Sequence, residues 1–264
     1  MRRFICGAIL AIAVLSVSPS AFAGTLLVPS YFYPSGTSNP WNTMCDTMGQ
    51  TGTGSIAILN PASGPGRTAD PNYTAALARC HVDGQRVIGY VATRYTHQTI
   101  ASVEQAIDTY YSFYPTLDGI FFDNMSLVPG KKASCKGCTM TVGSYYSELY
   151  AFVHTTWANA TVVGNPGTPA ATSWQLSTPA ADAVVTFEGS AASYEKYVPP
   201  PWVLAEPADR IANIIYAARG ATPATTCSTA AANNAGLLYV TDAKLHPNPY
   251  AALPSYWTTE TTTC

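Results

Sequence analysis

Eight short apolar runs, each followed by a longer polar or helix-patterned stretch, constrain this chain more than any other feature of it. The runs are Thr25–Tyr33, Ser55–Asn60, Val87–Thr93, Gly119–Met125, Thr161–Asn165, Ala183–Glu188, Arg210–Ala217 and Leu237–Thr241. They are rich in β-branched and aromatic residues and almost unbroken in apolarity, as parallel strands buried on both faces must be. Helix candidates fall between them at Tyr73–Val82, Ile100–Tyr114, Val142–Asn159 and Ser228–Ala235. In the second of these, Ile100, Val103, Ile107 and Tyr111 share one face. Arg210–Ala217 can also be read as a helix. Alternation of this kind predicts an α/β protein, a single (β/α)8 TIM-type barrel over residues 24–264. No repeat, charge block or linker interrupts it, and Pro199-Pro200-Pro201 reads as a barrel loop.

The first 23 residues read as a leader. Arg2 and Arg3 precede an apolar run from Phe4 to Val17, Pro19 breaks it, and Ala21-Phe22-Ala23 offers a cleavage site. This is the pattern of a signal peptide, removed on export. The run falls short of the ~20 apolar residues that span a bilayer. A secreted protein, extracellular or periplasmic, is therefore expected. Cys6 leaves with the leader, and the six remaining cysteines read as three disulfides. Cys135 and Cys138 pair locally in this reading, with Cys45–Cys80 and Cys227–Cys264 as the other bridges. A zinc site or a redox Cys-x-x-Cys is the rival, weakened by four scattered histidines. Neither metal nor cofactor is expected. With 11% charged residues and a net charge of −2, the chain offers no basic field for nucleic acid. Gly64-Pro65-Gly66 lacks the spacing and lysine of a P-loop. Sequons stand at Asn72, Asn124 and Asn159.

In a barrel, chemistry gathers where strands end at the C-terminal face. Tyr31 and Tyr33 close the first run, Asn60 the second, and Tyr90, Thr93 and Tyr95 the third. Asp123-Asn124 closes the fourth, Asn165 the fifth, Glu188 the sixth and Asp242 the eighth. Polar groups abutting apolar runs must face the mouth or each other, since burial without partners is costly. Asp123 and Glu188 carry the sharpest signal, because glycoside cleavage needs two carboxylates flanking one bond. The plainer reading is that each caps a helix or pairs with Arg94 or Arg219, which is less apt for two acids in so uncharged a chain. Tyr31, Asn60, Tyr90, Tyr95, Asn124, Asn165 and Asp242 are the candidate substrate-binding residues. Asn60-Pro61 and Asn165-Pro166 are equally turn signals, and Asp242 also suits a helix cap. Asp118, at the start of its run, reads as structural.

The same segments resemble the spherulin-4-like proteins, glycoside hydrolase family 135. They are LVPSYFYP (27–34), IAILNPASGPG (56–66), VIGYVATRY (87–95), DGIFFDN (118–124), VVGNPGT (162–168), VVTFEG (184–189), YVTD (239–242) and LPSYW (253–257), in the family's order. The resemblance implies a monomeric (β/α)8 hydrolase that cuts galactosaminogalactan, a biofilm or cell-wall polysaccharide. It implies retaining endo cleavage within α-1,4-linked N-acetylgalactosamine, with the family acids mapping onto Asp123 and Glu188. In such a sugar the 2-acetamido group is cis to the leaving oxygen and cannot attack from the opposite face, so the protein must supply the nucleophile. Asp123 is read as nucleophile and Glu188 as acid/base, with the reverse as alternative. Asn124 stands where the family commonly has glutamate, and an amide cannot carry a catalytic proton. That change keeps a second reading open: a barrel that binds the polymer without cutting it.

Overall fold

A computed structural model describes residues 24–36, 39–49, 54–219 and 223–264. The expected signal peptide lies outside the described residues. Eight parallel strands close into a barrel in chain order. They are β1 (Thr25–Ser30), β2 (Ile56–Leu59), β3 (Arg86–Ala92), β4 (Gly119–Asp123), β5 (Thr161–Asn165), β6 (Ala183–Ser190), β7 (Ile211–Tyr216) and β8 (Leu237–Val240). The ambiguous seventh run is thus a strand. The helices are α1 (Pro40–Gly49), α2 (Pro71–Val82), α3 (Ile100–Phe113), α4 (Val142–Thr156), α5 (Trp174–Ser177), α6 (Ala191–Tyr194), α7 (Pro201–Ala205), α8 (Pro223–Ala232) and α9 (Trp257–Thr263).

Strands and helices end where local chemistry dictates. β1 stops at Ser30, short of Tyr33, because the Tyr31 N–H turns to the Tyr250 carbonyl at 3.2 Å. β4 stops at Asp123 because Asn124 adopts φ 53°, which no strand accommodates. Thr99 and Thr141 cap α3 and α4 by accepting from Ser102 and Ser144. α4 ends before Asn159, and Trp157 stacks on Tyr111 with centroids 3.8 Å apart. Many of the tyrosines are core: Tyr110, Tyr114, Tyr145, Tyr146 and Tyr239 are fully buried.

Two aspartates seal the bottom of the barrel. Asp118 accepts from the Val87 N–H at 2.6 Å and contacts His81 at 2.8 Å. Asp182 accepts from the Val162 N–H and the Tyr150 hydroxyl, both at 2.7 Å. Asp118 is structural, as its position predicts. Beside it, a Cβ on Gly119 would lie 1.9 Å from the Thr161 carbonyl, so only glycine lets β4 and β5 meet there. Between β6 and β7 the register shifts at Val185/Phe187, a bulge that re-aims the strand just before Glu188.

The three expected disulfides are present: Cys45–Cys80 joins α1 to α2, Cys227–Cys264 joins α8 to the C-terminus, and Cys135–Cys138 closes a loop. They fit an oxidising compartment. No helix among the described residues is long and apolar enough to cross a membrane. Cys227–Cys264 spans 37 residues and Cys135–Cys138 only 3. Chain entropy then predicts that replacing the first pair by alanines costs about 4 kcal/mol and the second about 1–2 kcal/mol. Urea unfolding of the two double variants measures this, and equal losses would contradict it.

Candidate active site

Asp123 and Asn165 are direct neighbours across β4 and β5, level with Ala92 of β3. Tyr90, two residues earlier on β3, lies on the same inward face. From this register follows a continuous hydrogen-bonded chain. The Tyr90 hydroxyl donates to Asp123 Oδ2 at 2.7 Å. Asn165 Nδ2 donates to Asp123 Oδ1 at 2.9 Å and to Glu188 Oε2 at 2.7 Å. The Tyr250 hydroxyl donates to Glu188 Oε1 at 2.5 Å. Tyr31 closes the ring, edge-on to Tyr90 and Tyr250 with centroids 5.6 and 5.5 Å away. Held by one nitrogen at 2.9 and 2.7 Å, the two oxygens stand at most about 5.6 Å apart.

The electrostatics follow from neutral donors and burial. Burial pushes the Asp123 carboxyl above its ordinary range; the Tyr90 donor opposes this, and the Glu188 charge adds to it. Burial first, then the carboxylates, hold the Tyr31, Tyr90 and Tyr250 phenols far above their usual range, so they remain protonated donors. The ion pairs of the described residues lie elsewhere, at Arg79–Asp46, His81–Asp118, His154–Asp182 and Arg210–Glu206. Neither Arg94 nor Arg219 reaches the two acids: Arg94 is exposed, and the Arg219 Nε bonds the Asp242 carbonyl at 3.1 Å.

The rim beside this ring is strained. Arg94, Tyr95, Thr96 and Asn124 all have positive φ (50°, 56°, 69° and 53°), a conformation costly for side-chain-bearing residues. The Tyr95 N–H donates to the Asn124 carbonyl at 2.7 Å, and Thr93 Oγ1 bonds the carbonyls of Asp123 and Asn124. These bonds hold the turn and leave Tyr95 54% exposed at the mouth. On one side lies a cavity of about 250 Å³ lined by Tyr90, Arg94, Gln98 and Asn124. On the other, one of about 180 Å³ is lined by Tyr95, Leu127, Lys131 and Pro166.

The ring thus unites Asp123, Glu188, Asn165, Tyr90 and Tyr31, with Tyr95 and Asn124 on its rim. Two other candidates are spent on loops. Asn60 Oδ1 accepts from the Gly64 N–H at 3.0 Å, which is the turn chemistry of its Asn-Pro pair. Asp242 has both oxygens engaged by Ser255, at 3.0 and 2.6 Å. Burial alone would raise its pKa, but the Ser255 bonds outweigh it and hold the carboxyl below its ordinary value. Tyr250 escaped the sequence reading, since it follows no apolar run and sits 62 residues from Glu188.

Residues 25–263 match the family model described as spherulation-specific family 4. The chain belongs to this family. Among members of the spherulation-specific family 4, Spherulin-4 of Physarum polycephalum is 34% identical over 144 residues, 54% of this chain and 39% of that protein. The aligned stretch therefore covers well under half of that relative. Among solved structures, Sph3 of Aspergillus clavatus, in complex with GalNAc, superposes with a TM-score of 0.72. It is 23% identical, covering 91% of this chain and 96% of that one. A cyclic α-maltosyl-(1→6)-maltose hydrolase of Arthrobacter globiformis follows at a TM-score of 0.53 and 12% identity, covering 90% and 79%. At such identities the likeness is one of fold, and an aldolase of Aeropyrum pernix shares it at a TM-score of 0.52, 11% identity and coverage of 83% and 86%.

Proposed function

We propose that this protein is a secreted glycoside hydrolase, an endo-acting retaining enzyme that cleaves α-1,4-linked N-acetylgalactosamine in a galactosaminogalactan-like polymer. One observation carries the reading: two half-buried carboxylates share a single amide at the barrel mouth. That upper limit on the separation of the bridged oxygens supports a retaining pair and leaves little room for the water of an inverting one. The resemblance to glycoside hydrolase family 135 supports the polysaccharide class, and Sph3 with its bound GalNAc supports the hexosamine.

The upward push on the Asp123 carboxyl favours the reverse of the first assignment: Asp123 as acid/base and Glu188 as nucleophile. Glu188 attacks the anomeric carbon, forming a glycosyl ester as the bond to the leaving oxygen breaks. Asp123 gives its proton to that oxygen. Asp123, now ionised, then takes a proton from water, whose oxygen attacks the same carbon and releases Glu188 as carboxylate. Tyr95, exposed at the mouth, offers a ring face to the sugar.

Asn124, in place of the family's glutamate, favours a second reading, a barrel that binds the polymer without hydrolysing it. Incubating the purified protein with galactosaminogalactan separates the two. New reducing ends with retained α-configuration, followed by proton NMR, support hydrolysis. Sedimentation with the polymer without new ends would sink it.

A further inference from the structure

The orientation of the Asn165 amide is fixed by a third bond. The Gly167 N–H donates to Asn165 Oδ1 at 2.8 Å, so Nδ2 is the atom that faces Asp123 and Glu188. Asn165 is only 4% exposed. Its two amide hydrogens go to two different carboxylates. A phenol can rotate and change from donor to acceptor, but an amide NH2 can only donate. The hydroxyl oxygen of a protonated carboxyl is a poor acceptor, so a proton disfavours the two oxygens that Asn165 holds.

We propose that Asn165 is a positioning residue that couples the two carboxylates and confines their protons to the outer oxygens, Asp123 Oδ2 and Glu188 Oε1. Each outer oxygen faces a hydroxyl that can turn to accept: Tyr90 at 2.7 Å and Tyr250 at 2.5 Å. The proton that Asp123 delivers to the leaving oxygen therefore sits on Oδ2, beside Tyr90. The inner oxygens stay unprotonated in every state. The two tyrosines are then alternating partners of the titrating pair, and Asn165 is the fixed donor between them. The turn bond to Gly167 and the carboxylate bonds are two jobs of one side chain, which is why a turn signal and a site signal coincide at Asn165-Pro166.

This inference rests on the hydrolase reading for its kinetic consequence, but its first test needs no turnover. In the full chain labelled with nitrogen-15, the two Asn165 side-chain protons are followed by NMR across a pH titration. Two separate responses are expected, one from each carboxylate. In Asp123→Asn the response from Asp123 disappears and the other remains. Side-chain protons that ignore the titration, or that both track one carboxyl, would overturn the proposal even in an active enzyme. If the signature is present and the wild type cuts no polymer, the hydrolase reading fails and this one stands.

The second test is kinetic. In Asn165→Ala the loss of a donor to the ionised form should raise the alkaline limb of kcat by about one pH unit. It should also lower kcat by about 10²-fold with little change in KM. A residue that merely shaped the turn would lower the yield of folded protein and leave that limb in place. Such a result in folded Asn165→Ala would remove the coupling role.

Discussion

Asp123→Asn and Glu188→Gln should each abolish almost all cleavage of galactosaminogalactan, and they should fail differently. Losing the acid should cost about 10²–10⁴-fold on the natural polymer, the usual worth of general acid catalysis. Losing the nucleophile should cost about 10⁴-fold or more, as knockouts of attacking groups do. An activated aryl glycoside tells them apart, because a good leaving group needs no proton. On that substrate Asp123→Asn should recover glycosyl-enzyme formation, and Glu188→Gln should not. The opposite pattern would return the nucleophile role to Asp123, the order first read from the sequence. Each substitution keeps the shape of its side chain, and Asn165 is a neutral donor to both acids, so folding is expected to survive.

Asn124 follows the same logic on a smaller scale. Its carbonyl accepts the Tyr95 N–H and its side chain lines the 250 Å³ cavity, so it touches the rim rather than the ring. Asn124→Ala should cost clearly less than either carboxylate variant in reducing-end assays. Asparagine also tolerates φ 53° better than most residues, so part of any loss will come from the backbone. An inactive wild type restored by Asn124→Glu would overturn the Asp123–Glu188 pair.

Why Asp123, Asn165 and Glu188 were legible and Tyr250 was not is a matter of what covers them. The first three follow apolar runs, so the polar residue marks the mouth by contrast with its run, although β6 continues past Glu188 to Ser190. Tyr250 arrives from a proline-rich loop and is tied to the barrel mouth where its carbonyl takes the Tyr31 N–H. Nothing local encodes that contact. Asn60 and Asp242 show the converse: they also end strands, but short-range donors from Gly64 and Ser255 satisfy them first. The (β/α)8 fold was legible because strands buried on both faces need long apolar runs. The left-handed turn at Arg94–Thr96 was not, since it is held by Thr93, Asp123 and Asn124 of a neighbouring strand end.

Glu260 stands in a run of threonines after the last barrel strand. It is fully buried in α9, and its Oε1 accepts from the Val240 N–H of β8 at 2.7 Å. Among the described residues no donor reaches Oε2. Burial raises its carboxyl to about 8, against the Val240 bond and with the Asp242 charge. In the unfolded chain a glutamate titrates near ~4.3. The folded protein therefore keeps a proton that the unfolded chain has released. The stability this provides is fully present below about pH 4 and is lost as pH rises through about 8. At about 1.4 kcal/mol per pH unit of separation, the loss amounts to about 5 kcal/mol. Glu260→Gln keeps the carbonyl that accepts from Val240 and cannot ionise. Relative to the wild type, it should gain about 5 kcal/mol in urea unfolding between pH 4 and pH 9. Parallel stability curves for the two proteins across that range would show that Glu260 folds ionised, and the argument from its burial would fail.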